Sequence, residues 1–191
     1  ETRFGSMGKP VPGFDINVVD DNGKILPDGE VGHIAICTEK KWPPGLFHGY
    51  LQNKVIVKDS FRHGWYYTGD TASRDKDGYL WFVGRSDDLI SSAGYRISPF
   101  EVESALLEHN LIAESAVVGV PDETRGQLVK AYIVLVEGYK GSNELIREIQ
   151  DFCKNLTAPY KYPRKVEFVE SLPKTISGKI RRVELREIEN K

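Results

Sequence analysis

The sequence predicts an α+β chain in two parts, on three observations. Residues 1 to about 84 read as strands punctuated by Gly, Asp and Pro; helical periodicity enters only after about 89; and a polar stretch, Gly84-Arg-Ser-Asp-Asp-Leu-Ile90, fits neither pattern. The expected organisation is a β-rich part over 1–84, a linker over 85–90 and a compact α+β domain over 91–191, with a three-stranded sheet and flanking helices.

In the first part, Phe14 to Val19, Val31 to Cys37, Tyr66 to Thr68 and Tyr79 to Val83 carry the β-branched and aromatic residues of strands. Asp20-Asp-Asn-Gly23 and Asp75-Lys-Asp-Gly78 separate such runs and end in Gly, which tolerates the positive φ of tight turns. Neither continues into the spacing and terminal Glu of a calcium loop, so both read as turns, and no metal site is expected.

In the second part, Ser98-Pro-Phe-Glu101 reads as a capping box with Pro99 at the first helical position. Val102, Ala105, Leu106 and His109 follow helical spacing, with Glu101, Glu103 and Glu108 mostly off that face and His109 at its edge or in solvent. A second helix is expected over about 142–156, burying Leu145, Ile149, Phe152, Cys153 and Leu156. Strand-like runs lie at Glu114 to Val120, Val129 to Val136 and Lys165 to Val169, and a short helix is expected near Val183 to Ile188.

Of the 191 residues, 40% are hydrophobic and 28% charged, enough for a real core. With 26 basic against 28 acidic residues there is no bulk positive field, so no nucleic-acid partner is expected and any anion must be met locally. The longest apolar runs, such as Ala131 to Val136, are far short of the roughly 20 residues that span a bilayer, and no membrane partner is expected. Cys37 and Cys153, far apart in sequence, read as thiols rather than a disulfide or a zinc site.

Three constellations could carry chemistry, and each has a bland counterpart. Asp70, after Trp65-Tyr-Tyr-Thr-Gly69, could accept two hydrogen bonds from a vicinal diol, or cap its own turn. Lys179, on a Gly178-containing loop with Lys174, Arg181 and Arg182 nearby, could place a compact charge on a developing oxyanion, or sit in a solvated basic tail. Its surroundings lack the first Gly and the following Ser or Thr of a Walker A loop. Arg85 and Arg96 could hold phosphate and sugar, or form surface ion pairs with residues such as Asp87 and Asp88.

What joins these is their order. Gly5-Ser-Met-Gly-Lys-Pro10, Trp65-Tyr-Tyr-Thr-Gly-Asp70, Gly84-Arg-Ser-Asp-Asp-Leu-Ile90, Gly94-Tyr-Arg96, Ser98-Pro-Phe-Glu-Val-Glu103, Gly119-Val-Pro-Asp122, Ala158-Pro-Tyr-Lys-Tyr-Pro-Arg164 and Pro173-Lys-Thr-Ile-Ser-Gly-Lys179 follow one another at family-like spacing. In these the chain resembles the adenylate-forming (AMP-binding) superfamily, and within it the acyl-CoA synthetases of the medium-chain type. The resemblance implies the β-rich end of a large adenylation domain followed by a small mobile lid domain. It also implies a two-step reaction in which a carboxylic acid and ATP give an acyl-adenylate and pyrophosphate, after which CoA displaces AMP.

Carried over by position, the resemblance implies that Asp70 and Arg85 hold the nucleotide's ribose, that Arg96 serves its phosphate or the acyl-adenylate, and that Lys179 is the catalytic residue of adenylation. It makes Asp87 the hinge, and Ala93, Gly94, Tyr95, Arg125, Lys154, Tyr162, Pro163 and Arg164 the CoA contacts. Mg²⁺ is expected with ATP, held by none of these residues. The family's phosphate-binding loop and most of its large domain, which would precede these motifs, are not among the 191 residues, so the missing amino-terminal part is an implied partner and the isolated chain is expected to be inactive. Ser91 and Ser92 depart from the Lys or Asn-type residues of other branches. The implied compartment is cytoplasmic, or the mitochondrial matrix in a eukaryote. Two other readings stay open: an adenylation domain that loads a carrier protein, and a non-catalytic lid or binding module.

Overall fold

The computed structural model describes residues 1–40, 42–48 and 59–189. They form two compact units, Glu1–Asp87 and Asp88–Lys191.

The first unit is an antiparallel sheet of β1 (Ile16–Val19), β2 (Val31–Cys37), β3 (Phe61–Arg62), β4 (Trp65–Arg74) and β5 (Leu80–Arg85), in the order β1-β2-β4-β3 with β5 also on β4. Both predicted turns form. Asp20 Oδ1 accepts from the amides of Asn22 and Lys24, and Asp75 Oδ1 from those of Asp77 and Tyr79, while Gly23 and Gly78 take φ of 82° and 83°. Val19, Ala35 and Tyr67 make the buried cluster, with Trp65 against it. β4 runs well past the predicted Thr68, so Asp70 lies inside the strand rather than in a turn after it. The cause is pairing: Asp70 stands opposite Arg85 on β5, with a bulge between Thr71 and Ala72.

The second unit holds β6 (Ile90–Ser92), β7 (Tyr95–Ile97), α1 (Pro99–Leu107), β8 (Ile112–Asp122), β9 (Gly126–Leu135), α2 (Asn143–Leu156), β10 (Lys165–Phe168) and α3 (Arg182–Glu189). Its sheet has five strands rather than the predicted three, in the order β10-β9-β6-β7 with β8 also on β9, and β10 runs parallel to β9. The additional pair, β6 and β7, is a hairpin too short and too polar to show strand alternation. Its turn residues Ala93 and Gly94 take φ of 49° and 83°, the paired positive values of a primed hairpin turn. Because β5 ends at Arg85 and β6 begins at Ile90, the stretch without regular structure is shorter than the predicted linker.

Alternation along β8 supplies both faces of this sheet: Val117 packs toward α1 and α2, whereas Ala116, Val118 and Val120 pack with Leu172 and with Leu185 of α3. α2 starts at Ser142, whose side chain accepts from the Leu145 amide, and buries Leu145, Ile149 and Cys153. Its stripe is narrower than predicted, since Phe152 is half-buried and Leu156 is exposed. Cys153 and Cys37 are buried free thiols, one in each unit.

Three expectations for α1 are corrected. Ser98 is its N-cap, but the side chain makes no cap hydrogen bond, and Glu101 pairs with Lys161 instead of closing a capping box. His109 is buried, with its ring edge-on to Phe152 at 5.0 Å and Nδ1 accepting from the Leu111 amide, because α2 packs over the end of α1. Glu103 is buried too, held by Arg182 of α3 and by the Val117 amide.

Where α3 ends, Glu189 receives hydrogen bonds from Lys130 and from the Tyr132 hydroxyl, the latter at 2.7 Å, and Lys130 also reaches Glu167 at 2.7 Å. The Lys130 bond, with Tyr132 adding to it, holds the Glu189 carboxyl below its ordinary range; burial and the bond to Glu189 push the Tyr132 phenol up to about 12. The lowered carboxyl stabilises the fold above the unfolded carboxyl range and loses that contribution in acid. The raised phenol contributes below about pH 10 and loses its part as pH rises toward 12. Thermal melting of Tyr132→Phe should therefore show a shallower loss of stability over the alkaline range than wild type; an identical alkaline limb would contradict this account.

Candidate functional site

Each unit carries its own group of candidate residues. In the first, the geometry centres on Arg85. Its Nη1 donates to Asp70 Oδ1 at 3.2 Å and to the Thr68 carbonyl at 3.4 Å, while Nε donates to Asp87 Oδ1 at 3.3 Å. Burial alone would lower the Arg85 pKa; the charges of Asp87 and Asp70 outweigh it and raise the value further. Gly69 makes the approach possible. At φ of 84° it is in the left-handed region, and a Cβ there would fall 2.8 Å from Arg85 Nη2. The Ser86 amide and hydroxyl then donate to the Gly69 carbonyl at 2.9 and 3.0 Å, which ties the start of the linker to β4. Asp70 and Arg85 thus present an acceptor and a donor side by side at a partly exposed edge, an arrangement that suits a ligand with neighbouring hydroxyls.

In the second unit, the predicted residues gather into two groups. The Ala93 amide donates to the Arg125 carbonyl at 2.9 Å, and Ser92 pairs with Gly126, so the 93–95 turn is held against Arg125. Tyr95, half exposed, stacks on Tyr160 with ring centres 4.1 Å apart and planes 14° off parallel. Beyond it, the Tyr162 ring is flanked by Lys154 Nζ at 4.4 Å and the Arg164 guanidinium at 4.9 Å, and Arg164 Nη1 donates to the Tyr162 hydroxyl at 2.9 Å. Gln150 on α2 fixes the backbone here through the Pro163 and Arg164 carbonyls at 3.0 and 3.2 Å. A hydrogen bond to Asp151 raises the Lys154 pKa. Two cations around one aromatic ring can meet a phosphate and a flat ring in the same ligand. Arg96 stands on β7 opposite Ser91, with its residue exposed.

Lys179 is on a separate loop, built as a short hairpin. The Thr175 amide donates to the Lys179 carbonyl at 2.8 Å, the Gly178 amide to the Thr175 carbonyl at 2.9 Å, and the Lys179 amide to Thr175 Oγ1 at 3.1 Å. Gly178, at φ of 83°, supplies the left-handed residue that closes such a loop. The turn is ordered by its own hydrogen bonds, and it leaves Lys179 and Ile176 exposed. The ammonium is therefore presented outward from a defined backbone, unlike the neighbouring Lys174 and Arg181, which pair with Glu114 and Glu184.

Residues 101–179 match the AMP-binding enzyme C-terminal domain. The second unit is an AMP-binding C-terminal domain. Beyond this domain the likeness extends through the first unit. The chain is 59% identical over 190 residues to 4-hydroxybutyrate–CoA ligase 1 of Metallosphaera sedula, covering 99% of this chain and 33% of that protein. It is 56% identical over 187 residues to the mitochondrial acyl-coenzyme A synthetase ACSM3 of Mus musculus, covering 97% of this chain and 32% of the relative. Among solved structures, the anthranilate CoA ligase AuaEII in complex with anthranoyl-AMP superposes with a TM-score of 0.81 at 42% identity, over 99% of this chain and 36% of that one. The o-succinylbenzoate CoA synthetase of Bacillus subtilis, in complex with its acyl-adenylate intermediate, gives 0.82 at 34% identity, over 96% and 36%. The chain is homologous to the carboxy-terminal portion of acyl-CoA synthetases and spans about a third of the length of these curated relatives.

Sequence reasoning missed two participants in this AMP-binding C-terminal domain and its neighbour. Tyr160 carried a signal, its place among the alternating aromatic and basic residues of Pro159-Tyr-Lys-Tyr-Pro163, but only the fold puts it on Tyr95. Gly69 carried one as well, since a glycine inside a strand marks a close approach. Gly69→Ala and Gly78→Ala both place a side chain at positive φ and should each cost about 1–2 kcal/mol, but only at Gly69 would the Cβ push the Arg85 guanidinium off Asp70. A crystal structure of Gly69→Ala with Arg85 still on Asp70 would contradict the close approach.

Proposed function

We propose that this chain is the carboxy-terminal part of an ATP-dependent acyl-CoA synthetase, an acid–thiol ligase that converts a carboxylate, ATP and CoA to acyl-CoA, AMP and pyrophosphate. The observation that carries the reading is the presence, on one small domain, of two chemically different surfaces: an outward ammonium on an ordered turn, and an aromatic ring with two cations over it. A reaction with two distinct half-steps has use for both.

In the first half-step a carboxylate oxygen attacks the α-phosphorus of ATP, and pyrophosphate leaves with the bonding pair. Two anions must meet, and Lys179 lowers the cost by bridging carboxylate and phosphate oxygens in the transition state. Asp70 accepts from the ribose hydroxyls and Arg85 braces the same sugar, with Arg96 on the phosphate side of the adenylate. In the second half-step the sulfur of CoA attacks the acyl carbon, the thiol proton is lost, and AMP leaves with the bonding pair. Ala93, Gly94 and Tyr95 line the approach of the thiol arm. Arg125, Lys154, Tyr162, Pro163 and Arg164 meet the nucleotide end of CoA, whose phosphates and adenine suit their cations and ring. Asp87, where the first unit ends, is the hinge about which the domain exchanges one surface for the other.

Mg²⁺ would enter with ATP, neutralising its phosphates. Among the described residues no group of His, Cys, Asp or Glu side chains is arranged to hold a metal ion, so no step is assigned through one here. The remaining ATP and acyl contacts would come from an amino-terminal portion of the same polypeptide. Among the described residues no helix is long and apolar enough to cross a membrane. The compartment proposed from the family resemblance is cytoplasmic, or the mitochondrial matrix in a eukaryote.

In the full-length polypeptide, Lys179→Ala should cut ATP–pyrophosphate exchange by about 10²–10³-fold while thioester formation from supplied acyl-adenylate and CoA stays near wild type. Equal losses in the two assays would overturn the role given to Lys179.

A further inference from the structure

Asp88, the first residue of the second unit, is adjacent in sequence to the proposed hinge, yet its side chain points into that unit. It accepts from Arg186 Nη1 at 2.6 Å and from Arg182 Nη1 at 3.4 Å. Arg182 in turn grips Glu103 through two bonds, Nη2 to Oε2 at 2.7 Å and Nε to Oε1 at 3.2 Å. Glu103 Oε1 also accepts from the Val117 amide at 2.7 Å, on the outer edge of β8, and the Arg182 guanidinium lies 4.3 Å over the Phe100 ring. Exposure of the Asp88, Arg182 and Glu103 side chains is 11%, 8% and 9%. Two arginines and two carboxylates are thus enclosed as a neutral set, with Arg186 at its rim.

Replacing a buried ion set by apolar residues often leaves stability unchanged or improved, so stability alone does not account for it. Its placement offers a reason. Arg182 opens α3 directly after the Lys179 turn, and that turn is closed on itself: the Arg181 amide donates to the Pro173 carbonyl at 2.9 Å, and Lys174 bridges Ile180. One end of the closed loop is pinned by buried Leu172 and the other by buried Arg182. Where Arg182 goes, Lys179 must follow. The 93–95 turn hangs instead on the β6–β7 hairpin and on the Arg125 carbonyl, and the bonds of the ion set go to other residues.

We propose that Asp88, Arg182 and Glu103 are positioning residues for Lys179: the buried ion set locks the residue beside the hinge to the helix behind the Lys179 turn, so that rotation at the hinge delivers the ammonium without slack. The inference rests on the function proposed above and concerns only the adenylation half-step. Loosening the set displaces Lys179 by a fraction of its reach while the thiol-facing turn keeps its place.

The test uses the full-length polypeptide carrying Asp88→Asn, Arg182→Lys or the rim change Arg186→Gln, each checked by thermal melting. Asp88→Asn and Arg182→Lys should lower kcat of ATP–pyrophosphate exchange toward about 100-fold, the scale of a 1 Å misplacement. KM for ATP and thioester formation from supplied acyl-adenylate should stay near wild type. Arg186→Gln should give a smaller loss in exchange of the same selective kind, and Asp88→Glu should recover part of the loss. A fall of both half-reactions together in folded variants, or exchange untouched in all of them, overturns the inference. If wild type itself shows no exchange, the proposed function fails and takes this inference with it; normal wild-type exchange with unaffected variants overturns this inference alone.

Discussion

The second unit depends on Arg182. Its guanidinium, buried at the start of α3, joins three other parts of the fold: Asp88 at the unit's first residue, Phe100 and Glu103 on α1, and through Glu103 the edge of β8. Burial pushes the Glu103 carboxyl up against the pull of Arg182, a measure of how strongly this site resists unpaired charge. Taking one member away would leave its partner buried and uncompensated, at a cost of about 3–5 kcal/mol. The planar, always-charged fork of arginine is what lets one side chain serve both carboxylates and lie on a ring face; lysine offers a single point of charge.

Around that centre, the sheet divides the labour. Its α1–α2 face holds the larger apolar cluster, from Ile90 to Cys153, and its other face receives Leu172 and Leu185. Loops that leave this frame carry the residues proposed for the chemistry: the 93–95 turn, the 158–164 segment with Gln150 on its Pro163 and Arg164 carbonyls, and the hairpin of Lys179. Each is short and tied by its own hydrogen bonds, which suits the proposed exchange of surfaces by rotation of the domain as a body. In the first unit the corresponding frame is thinner. There Asp70 and Arg85 face each other across β4 and β5 because Gly69 gives the guanidinium room.

Much of this was legible from residue pattern. The long strands β2, β8 and β9 and the helix α2 announce themselves by alternation or helical spacing, and the two Asp-to-Gly turns by the chemistry of their first and last residues. The failures share a physical cause, since they are contacts between elements distant in sequence. Glu103 looks like a solvent-facing acid until Arg182 arrives from α3; His109 looks like a helix edge until α2 covers it. Ser98-Pro-Phe-Glu101 has the letters of a capping box, yet Lys161 claims Glu101. The β6–β7 hairpin was invisible because Ser91, Ser92, Ala93 and Gly94 offer no apolar alternation; its pairing with β9 sets it in the sheet. Of the candidate site, the residue types in Lys179, Asp70 and Arg85 could be read, but not which neighbours they would meet.

On the proposed function, one small domain serves two half-reactions with two separate surfaces. This is tested most directly on the aromatic face, by measuring ATP–pyrophosphate exchange and CoA-dependent thioester formation side by side in full-length polypeptide carrying Tyr162→Ala with Arg164→Ala. The account predicts a raised KM for CoA and slowed thioester formation with exchange left at the wild-type rate. Loss of exchange in step with thioester formation, in a protein that still melts cooperatively, would contradict it.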